Sequence, residues 1–374
     1  MASIMIFGDI CPDNDYRALF DSGQYGPFDN EIVCDINNSS FVIGNLECPA
    51  TENRIPIVKC GPTLRAEPKD IELLSRLGFS ILSLANNHIL DYGILSAEET
   101  IQKCESCGIM TVGAGRNMEQ ASESLIVDAD GKKVGILSFA EAEFNLATET
   151  APGANHFDPY TSYDDVSSLK KQTDFIIILY HGGIEHYQYP SPLLQKKCRG
   201  FIKAGANLVL CQHSHCIGTE EKYENGTILY GQGNSVFGYR EGNKTWNEGI
   251  VVKVDLSSQE ISYKLLEADK NGIHYAEDDK STERIVQLKK ESVVVKDSAE
   301  IKFRWMKYCA SQAPLDMPLL YGRNRVYIKL NRILRNKLID HIYSRKKQRI
   351  TMNLLRCESH HEVIQTILEN KTFN

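Results

Sequence analysis

"LVLCQHSHCIG", residues 208–218, sets His213 and His215 two positions apart at the end of an unbroken aliphatic run. A continuous apolar run, rather than an alternating one, marks a strand buried on both faces, as in α/β layers. On extended backbone, residues two apart point to the same side. The segment is therefore either a buried strand ending in metal ligands or a strand end followed by two ordinary polar rings. The other aliphatic runs of the chain bear on the choice.

"SIMIFGD" ends in Asp9, and "FVIGNLE" runs into Asn45 and Glu47. "SILSLANNH" ends in Asn86, Asn87 and His88, with Asp91 three residues on. "FIIILYHGGIE" ends in His181, with Glu185 beyond it. Each residue alone has a plain explanation: Asp9 and Asn45 suit turn caps, and Asn87 suits a left-handed turn. The coincidence of five strand ends is what points to a site, because ligands gather outside the carboxyl ends of strands in open α/β sheets. Carboxylate, amide and imidazole together suit Zn, Mn or Fe better than Ca or Mg, which prefer oxygen cages. Roughly seven donors exceed the needs of one tetrahedral ion and point to a two-metal site.

Further strands are expected at "VGILSF", "TILYG" and "GIVVKV". Helices are expected at "EPKDIELLSRLG", at "SAEETIQKCESCG" with Ser96 and Glu99 in capping-box spacing, and at "SPLLQKKCRGFIKAG" with Ser191 as N-cap and Pro192 at the first position. Residues 140–172, with "APGANHFDPYTSYDD", read as a long surface loop of the kind that often carries function. The expected division is 1–275, an α/β domain, and 276–374, a basic, mainly helical region with a loop near "APLDMPLLYG".

The 42% apolar and 24% charged fractions over 374 residues are those of a globular protein with a sizeable core. No run approaches the roughly 18 apolar residues that span a bilayer. The opening "MASIMIFGDICPD" lacks a basic leader, so a cytoplasmic location is expected. The 11 cysteines are most simply free thiols, and the "CESC" pair lacks a second such motif. Residues 281–374 hold 19 Lys and Arg against 9 Asp and Glu, whereas residues 1–280 hold 23 against 40. The acidic body argues against nucleic acid. The basic tail is either a solvated helical surface or a face for the body, an anionic partner or a membrane surface.

In order and spacing, "FGD", "GNLE", "ANNHILDYG", "HGGIE", "CQHSH" and "GQGNSVFG" resemble the CapA family of poly-γ-glutamate capsule biosynthesis proteins, within the calcineurin-like metallophosphoesterase superfamily. The resemblance covers about residues 2–256, and "ANNHILDYG" is its most specific piece. It implies a four-layer αββα sandwich with a dinuclear metal centre. Asp9 and His215 would bind one metal, Glu47 would bridge, and Asn87, His181 and His213 would bind the other. His88 would be the general acid, oriented by Asp91. Three positions depart from the superfamily pattern: Cys11 replaces a histidine, Glu47 replaces an aspartate, and Gln212 precedes the final pair. Cys11 is either a thiolate ligand favouring zinc or a bystander in the turn beside Pro12.

Glu185 either supports a ligand or binds substrate, and Asn234 in "GQGNS" either resembles a segment that closes the pocket in this family or stands in a tight strand exit made by its glycines. Asn45, Arg54, Lys59 and Arg65 are further substrate-binding candidates, the three basic residues as a grip for an anion. The expected function is a metal-dependent hydrolase of a phosphoester, ester or amide bond in capsule, poly-γ-glutamate or cell-envelope polysaccharide biosynthesis. Its substrate would be an anionic polymer or precursor, handled in the cytoplasm because family members usually carry a membrane anchor that is not seen here. The alternative is a non-catalytic, metal-binding or scaffold subunit of a polymer synthase. No GxxxxGK[ST] loop argues for a ligase.

Overall fold

A computed structural model describes residues 2–12, 16–22, 25–320, 333 and 344–372. The aliphatic runs form two mixed sheets. The first contains β1 (Ser3–Ile10), β2 (Phe41–Leu46), β3 (Ile81–Ser83), β4 (Met110–Val112), β13 (Asn234–Val236), β14 (Glu248–Asp255), β15 (Glu260–Asp269) and β16 (Gly272–Tyr275). The second contains β6 (Leu125–Ala129), β7 (Lys132–Ala140), β9 (Phe175–His181), β10 (Leu208–Gln212), β11 (Glu220–Tyr223) and β12 (Gly226–Leu229). A two-stranded ribbon, β5 (Ala114–Gly115) with β8 (Gly153–Ala154), stands apart.

Alternation along β1 explains why its run is apolar throughout. Ile4 and Ile6 face the second sheet, packing in one cluster with Ile43, Ile81, Val134, Ile177, Leu208 and Leu210. Met5 and Phe7 face the opposite way, in a cluster with residues of α2 (Asn30–Asn37), α3 (Pro68–Leu77) and α4 (Ile94–Ser106). On the far side of the second sheet, Ile176, Ile178, Tyr180 and Val209 pack against α6 (Ser162–Lys170) and α7 (Pro192–Ala204). Helices thus cover the outer face of each sheet, and the mixed α/β expectation holds.

Parallel pairing aligns the strand ends. β1, β2, β3 and β4 run parallel in the first sheet, as do β7, β9, β10 and β12 in the second. Register puts Asp9 opposite Asn45 and also opposite Asn234, and Gln212 opposite His181. One pairing edge therefore collects donors from residues up to about 200 positions apart, as carboxyl ends of parallel strands do.

Several local expectations need correction. α4 begins at Ile94 behind Gly93, so Ser96 lies inside the helix, where its hydroxyl donates to Tyr92 O, and Glu99 accepts from the Thr51 hydroxyl instead of capping. Residues 140–172 are not all loop: β8 and α6 lie within them, and Glu141, Asn145 and Asn155 are buried. The loop expected near residues 313–322 is absent as far as Leu320. There α9 (Ser298–Leu320) continues through Pro314 and Pro318, each of which removes one intrahelical hydrogen bond. The mainly helical region expected after that loop lies partly outside the described residues; within them α10 (Arg345–Arg356) and α11 (Glu358–Thr372) form. α7 does start behind Ser191, whose hydroxyl accepts from Leu194 N, with Pro192 first.

The last strand ends at Tyr275, and α8 (Asp278–Ser292) opens the helical tail. The tail packs back on the body. Glu362 of α11 accepts from Ser191 Oγ at 2.5 Å and Leu193 N at 3.0 Å, and Glu358 pairs with Lys197.

Candidate metal centre

The site is built where β1, β2, β9 and β10 end, completed by the turn after β3. Asp9 is buried; its Oδ1 accepts from Asn45 Nδ2 at 2.8 Å and its Oδ2 from His213 N at 3.0 Å. His181 Nε2 lies 2.9 Å from Asn87 Oδ1 and 3.4 Å from Glu47 Oε1. His215 Nε2 lies 3.8 Å from the same Glu47 oxygen, and His215 Nδ1 meets Asn234 Oδ1 at 2.9 Å. The rings of His181 and His213 are 4.9 Å apart.

Two groups of potential ligands share one carboxylate. Glu47, His181 and His213 offer donor atoms within 4.8 Å of one another, and so do Asp9, Glu47 and His215. The donor set fits cations on a specific observation. Both oxygens of Glu47 and Nδ1 of His213 are buried without a hydrogen-bond partner. An unpaired buried carboxylate costs several kcal/mol, and a cation between the two groups would satisfy it.

Electrostatics agree. Burial, reinforced by Glu47, pushes the Asp9 carboxyl up to about 7. Burial, then Glu185, drives Glu47 well above the carboxylate range. Burial pulls His181 down to about 4 and, helped by His181, His213 down to about 3. It also takes His215 well below the usual imidazole value. Imidazoles held neutral keep a free lone pair, the form that binds metal.

Backbone strain is concentrated here too. His213 and His215 have φ of 85° and 50°, in the left-handed region that side chains other than glycine rarely adopt. Such strain costs roughly 1–3 kcal/mol per residue and persists where surrounding contacts over-determine it. The Asp9 and Asn234 hydrogen bonds supply those contacts.

Beside the cluster, His88 Nδ1 meets Asp91 Oδ2 at 2.6 Å, and its Nε2 lies 3.9 Å from Glu47 Oε1. Lys59 is buried against the pair, ion-paired with Asp91 Oδ1 and 3.1 Å from His88 Nδ1. Lys59 is thus neutralised by Asp91, where an open grip for an anion was expected. Asn45, expected at the substrate, is fully buried behind the ligands, its amide bridging Asp9 and His181. Asn234 likewise orients His215. Glu185 lines a cavity with His88 and His215. Arg54 is exposed and not brought to the cluster, and Arg65 is turned to Thr51 O and Glu67. Cys11 is not brought to either ligand group; its side chain is buried in the apolar cluster under the helices of the first sheet.

Sequence reasoning missed the loop that walls the cavity. Trp246 packs 5.0 Å from the His215 ring, and Arg240 lies over Trp246. One of only two tryptophans in the chain, set in the polar stretch "YREGNKTWNEG", was the available signal.

Fold and site together define a mixed α/β protein with a buried His/Asp/Glu cluster able to hold metal ions. The family model described as bacterial capsule synthesis protein PGA_cap matches residues 3–239. The chain belongs to that family. It is 28% identical over 211 residues to the capsule biosynthesis protein CapA of Bacillus anthracis, covering 54% of this chain and 51% of that protein. It is 27% identical over 203 residues to the PGA biosynthesis protein CapA of Bacillus subtilis (strain 168), covering 53% of each. The chain thus spans about half the length of these curated relatives. Among solved structures, a putative 5'-nucleotidase from Staphylococcus aureus aligns with a TM-score of 0.44 at 15% identity, covering 77% of this chain and 58% of that one.

Proposed function

We propose that this chain is a metal-dependent hydrolase, an αββα sandwich of the metallophosphoesterase type whose cluster holds two divalent transition-metal ions, Zn, Mn or Fe. The observation that carries this reading is Glu47, whose two unpartnered oxygens lie at the junction of two ligand groups. Asp9 and His215 would hold one ion, and His181, His213 and Asn87 the other, with Glu47 shared. Bound ions supply Lewis acidity toward a phosphoryl or carbonyl oxygen and toward water.

The chain's own residues do the rest. As the imidazolium, His88 would donate from Nδ1 to Asp91 and carry a second proton on Nε2 to give to a leaving group, being left as the neutral Nδ1–H ring. Lys59 holds Asp91 in place through an ion pair. Asn45 and Asn234 fix Asp9, His181 and His215 from behind, as supporting partners of metal ligands do. The relatives' names point to capsule and PGA biosynthesis; on our reading the bond is a phosphoester, ester or amide in a capsule, poly-γ-glutamate or envelope-polysaccharide precursor, an anionic substrate met in the cytoplasm.

Elemental analysis of purified, metal-reconstituted protein, paired with hydrolysis of phosphodiester and ester substrates before and after chelation, tests this. About two ions and chelator-sensitive turnover are expected. Metal uptake with no turnover, and full capsule function in cells carrying His88→Ala, would replace the enzyme with a scaffold.

A further inference from the structure

A cavity of about 440 Å³ opens beside the metal cluster, lined in part by His88, Glu185, His215, Phe237, Arg240 and Trp246. Among the described residues lining it, Arg240 is the only lysine or arginine. Its guanidinium carbon lies 3.1 Å from the centre of the Trp246 ring. Trp246 is itself buried, packs against the His215 and Phe237 rings, and donates from Nε1 to Gly238 O at 3.2 Å.

The loop that carries both residues is closed on itself. Arg240 N donates to Asn247 Oδ1 at 2.9 Å, and Asn247 Nδ2 returns a bond to Arg240 O at 2.7 Å. Trp246 N donates to Asn243 Oδ1 at 3.1 Å. The guanidinium is therefore held by its face, one indole away from a metal-ligand imidazole. A stacked guanidinium keeps its N–H groups directed outward in its own plane, where they match the two oxygens of a carboxylate or phosphate. Among the described residues no carboxylate lies within 4.0 Å of Arg240, so the fork is held in no close ion pair there; Glu185 acts on it only at longer range. The acidic Glu185 lines the same cavity and disfavours an anion beside it.

We propose that Arg240, stacked on Trp246, is a specificity subsite for a second oxyanion of the substrate, a carboxylate or phosphate on the unit next to the bond presented to the metal cluster. The proposal rests on the hydrolase reading only for what happens at the metals; the subsite itself is a binding claim. Trp246 and Arg240 both lie beyond the 3–239 segment matched by the family model.

Titration calorimetry on the metal-loaded full chain tests it with three probes. These are a γ-glutamyl oligomer with free α-carboxylates, the same oligomer as its α-methyl esters, and a glycerol phosphate oligomer. At least one of the anionic oligomers is expected to bind and to lose about tenfold in affinity in Arg240→Ala, with Arg240→Lys between. The ester should not respond to the substitution, and metal content and Tm should stay as in the wild type. The anionic oligomer that responds identifies the source of the oxyanion. Unchanged affinity for both anionic oligomers in Arg240→Ala, or no binding of either to the wild type, overturns the proposal. Arg240-dependent binding without cleavage would instead overturn the hydrolase reading and leave the subsite standing.

Discussion

His88 Nδ1 stands 2.6 Å from Asp91 Oδ2, and the same carboxylate is anchored by Leu64 N at 2.7 Å and by Lys59. A carboxylate fixed on three sides holds the ring through Nδ1, so that Nε2 is the nitrogen facing Glu47 and the cavity, and it favours the imidazolium that a general acid needs. Replacing His88 by Ala should lower kcat by about 10²–10⁴-fold, the usual worth of a general acid. Metal content should be unchanged, because His88 belongs to neither ligand group. Steady-state kinetics with elemental analysis on one preparation checks both halves; loss of metal in parallel with rate would remove the general-acid role.

The two ligand groups share Glu47 and nothing else. His213→Ala should therefore remove about one ion per chain, His215→Ala the other, and Glu47→Ala both. Elemental analysis after reconstitution decides, and equal losses in all three variants would mean that a single ion uses both groups.

Chelation should lower Tm, because a ligand that binds only the folded state stabilises it by about 2.7 kcal/mol at a concentration of 100 Kd. Glu47→Gln should erase the metal-dependent part of Tm. It should also raise the Tm of the chelated protein, since a buried carboxylate without a partner is replaced by a neutral amide. A chelated Glu47→Gln protein less stable than chelated wild type would show that Glu47 has a structural partner.

Gly8 sits where β1 and β2 shift register, and a Cβ there would come 2.5 Å from Gly233 O. Gly8→Ala should cost about 1–3 kcal/mol as an overpacked core substitution. It should also weaken metal binding, because the displaced segment carries Asn234 and so the orientation of His215. Thermal melts and metal titration test the two effects; a melt at the wild-type temperature would show that the neighbouring strand gives way freely.

Glu362 joins α11 to the start of α7, and its burial raises its carboxyl above the ordinary range, with Ser191 Oγ, Leu193 N and Lys197 opposing the shift. A carboxyl raised in the folded state is protonated in both states at low pH. As pH rises through its unfolded value the unfolded chain releases the proton first, so stability falls from there toward the folded value. Glu362→Gln should therefore gain Tm relative to wild type over the range that opens as pH rises above about 4. A Tm difference that is flat or narrows over that range would mean that the opposing contacts outweigh burial.

Much of this molecule was legible from residue order. Continuous aliphatic runs gave the doubly covered strands, because a strand buried on both faces cannot alternate with polar residues. Ser191 and Pro192 marked the start of α7 for the same local reason that caps work in isolated helices. Where the local signal competed with another, it failed. Ser96 and Glu99 had the spacing of a cap, but the positive φ of Gly93 let α4 start earlier and left Ser96 inside it. Arg54, Lys59 and Arg65 were alike as cations on one loop; only Lys59 was turned inward, because Asp91 offered it a buried partner.

The sequence alone determined which groups stand at the strand ends: Asp9, Glu47, Asn87, His88, His181, His213 and His215 follow their aliphatic runs whatever the strands later pair with. Tertiary structure decided how those groups divide. Parallel register set Asp9 against Asn45 and Asn234, and strained backbone at His213 and His215 turned the two rings toward different partners. Packing also decided that Cys11 went into the apolar cluster and that Trp246 and Arg240 came to wall the cavity. Side-chain alternation is a property of a single strand and can be read from it, whereas a shared carboxylate and a stacked guanidinium exist only once strands and loops distant in the chain are paired.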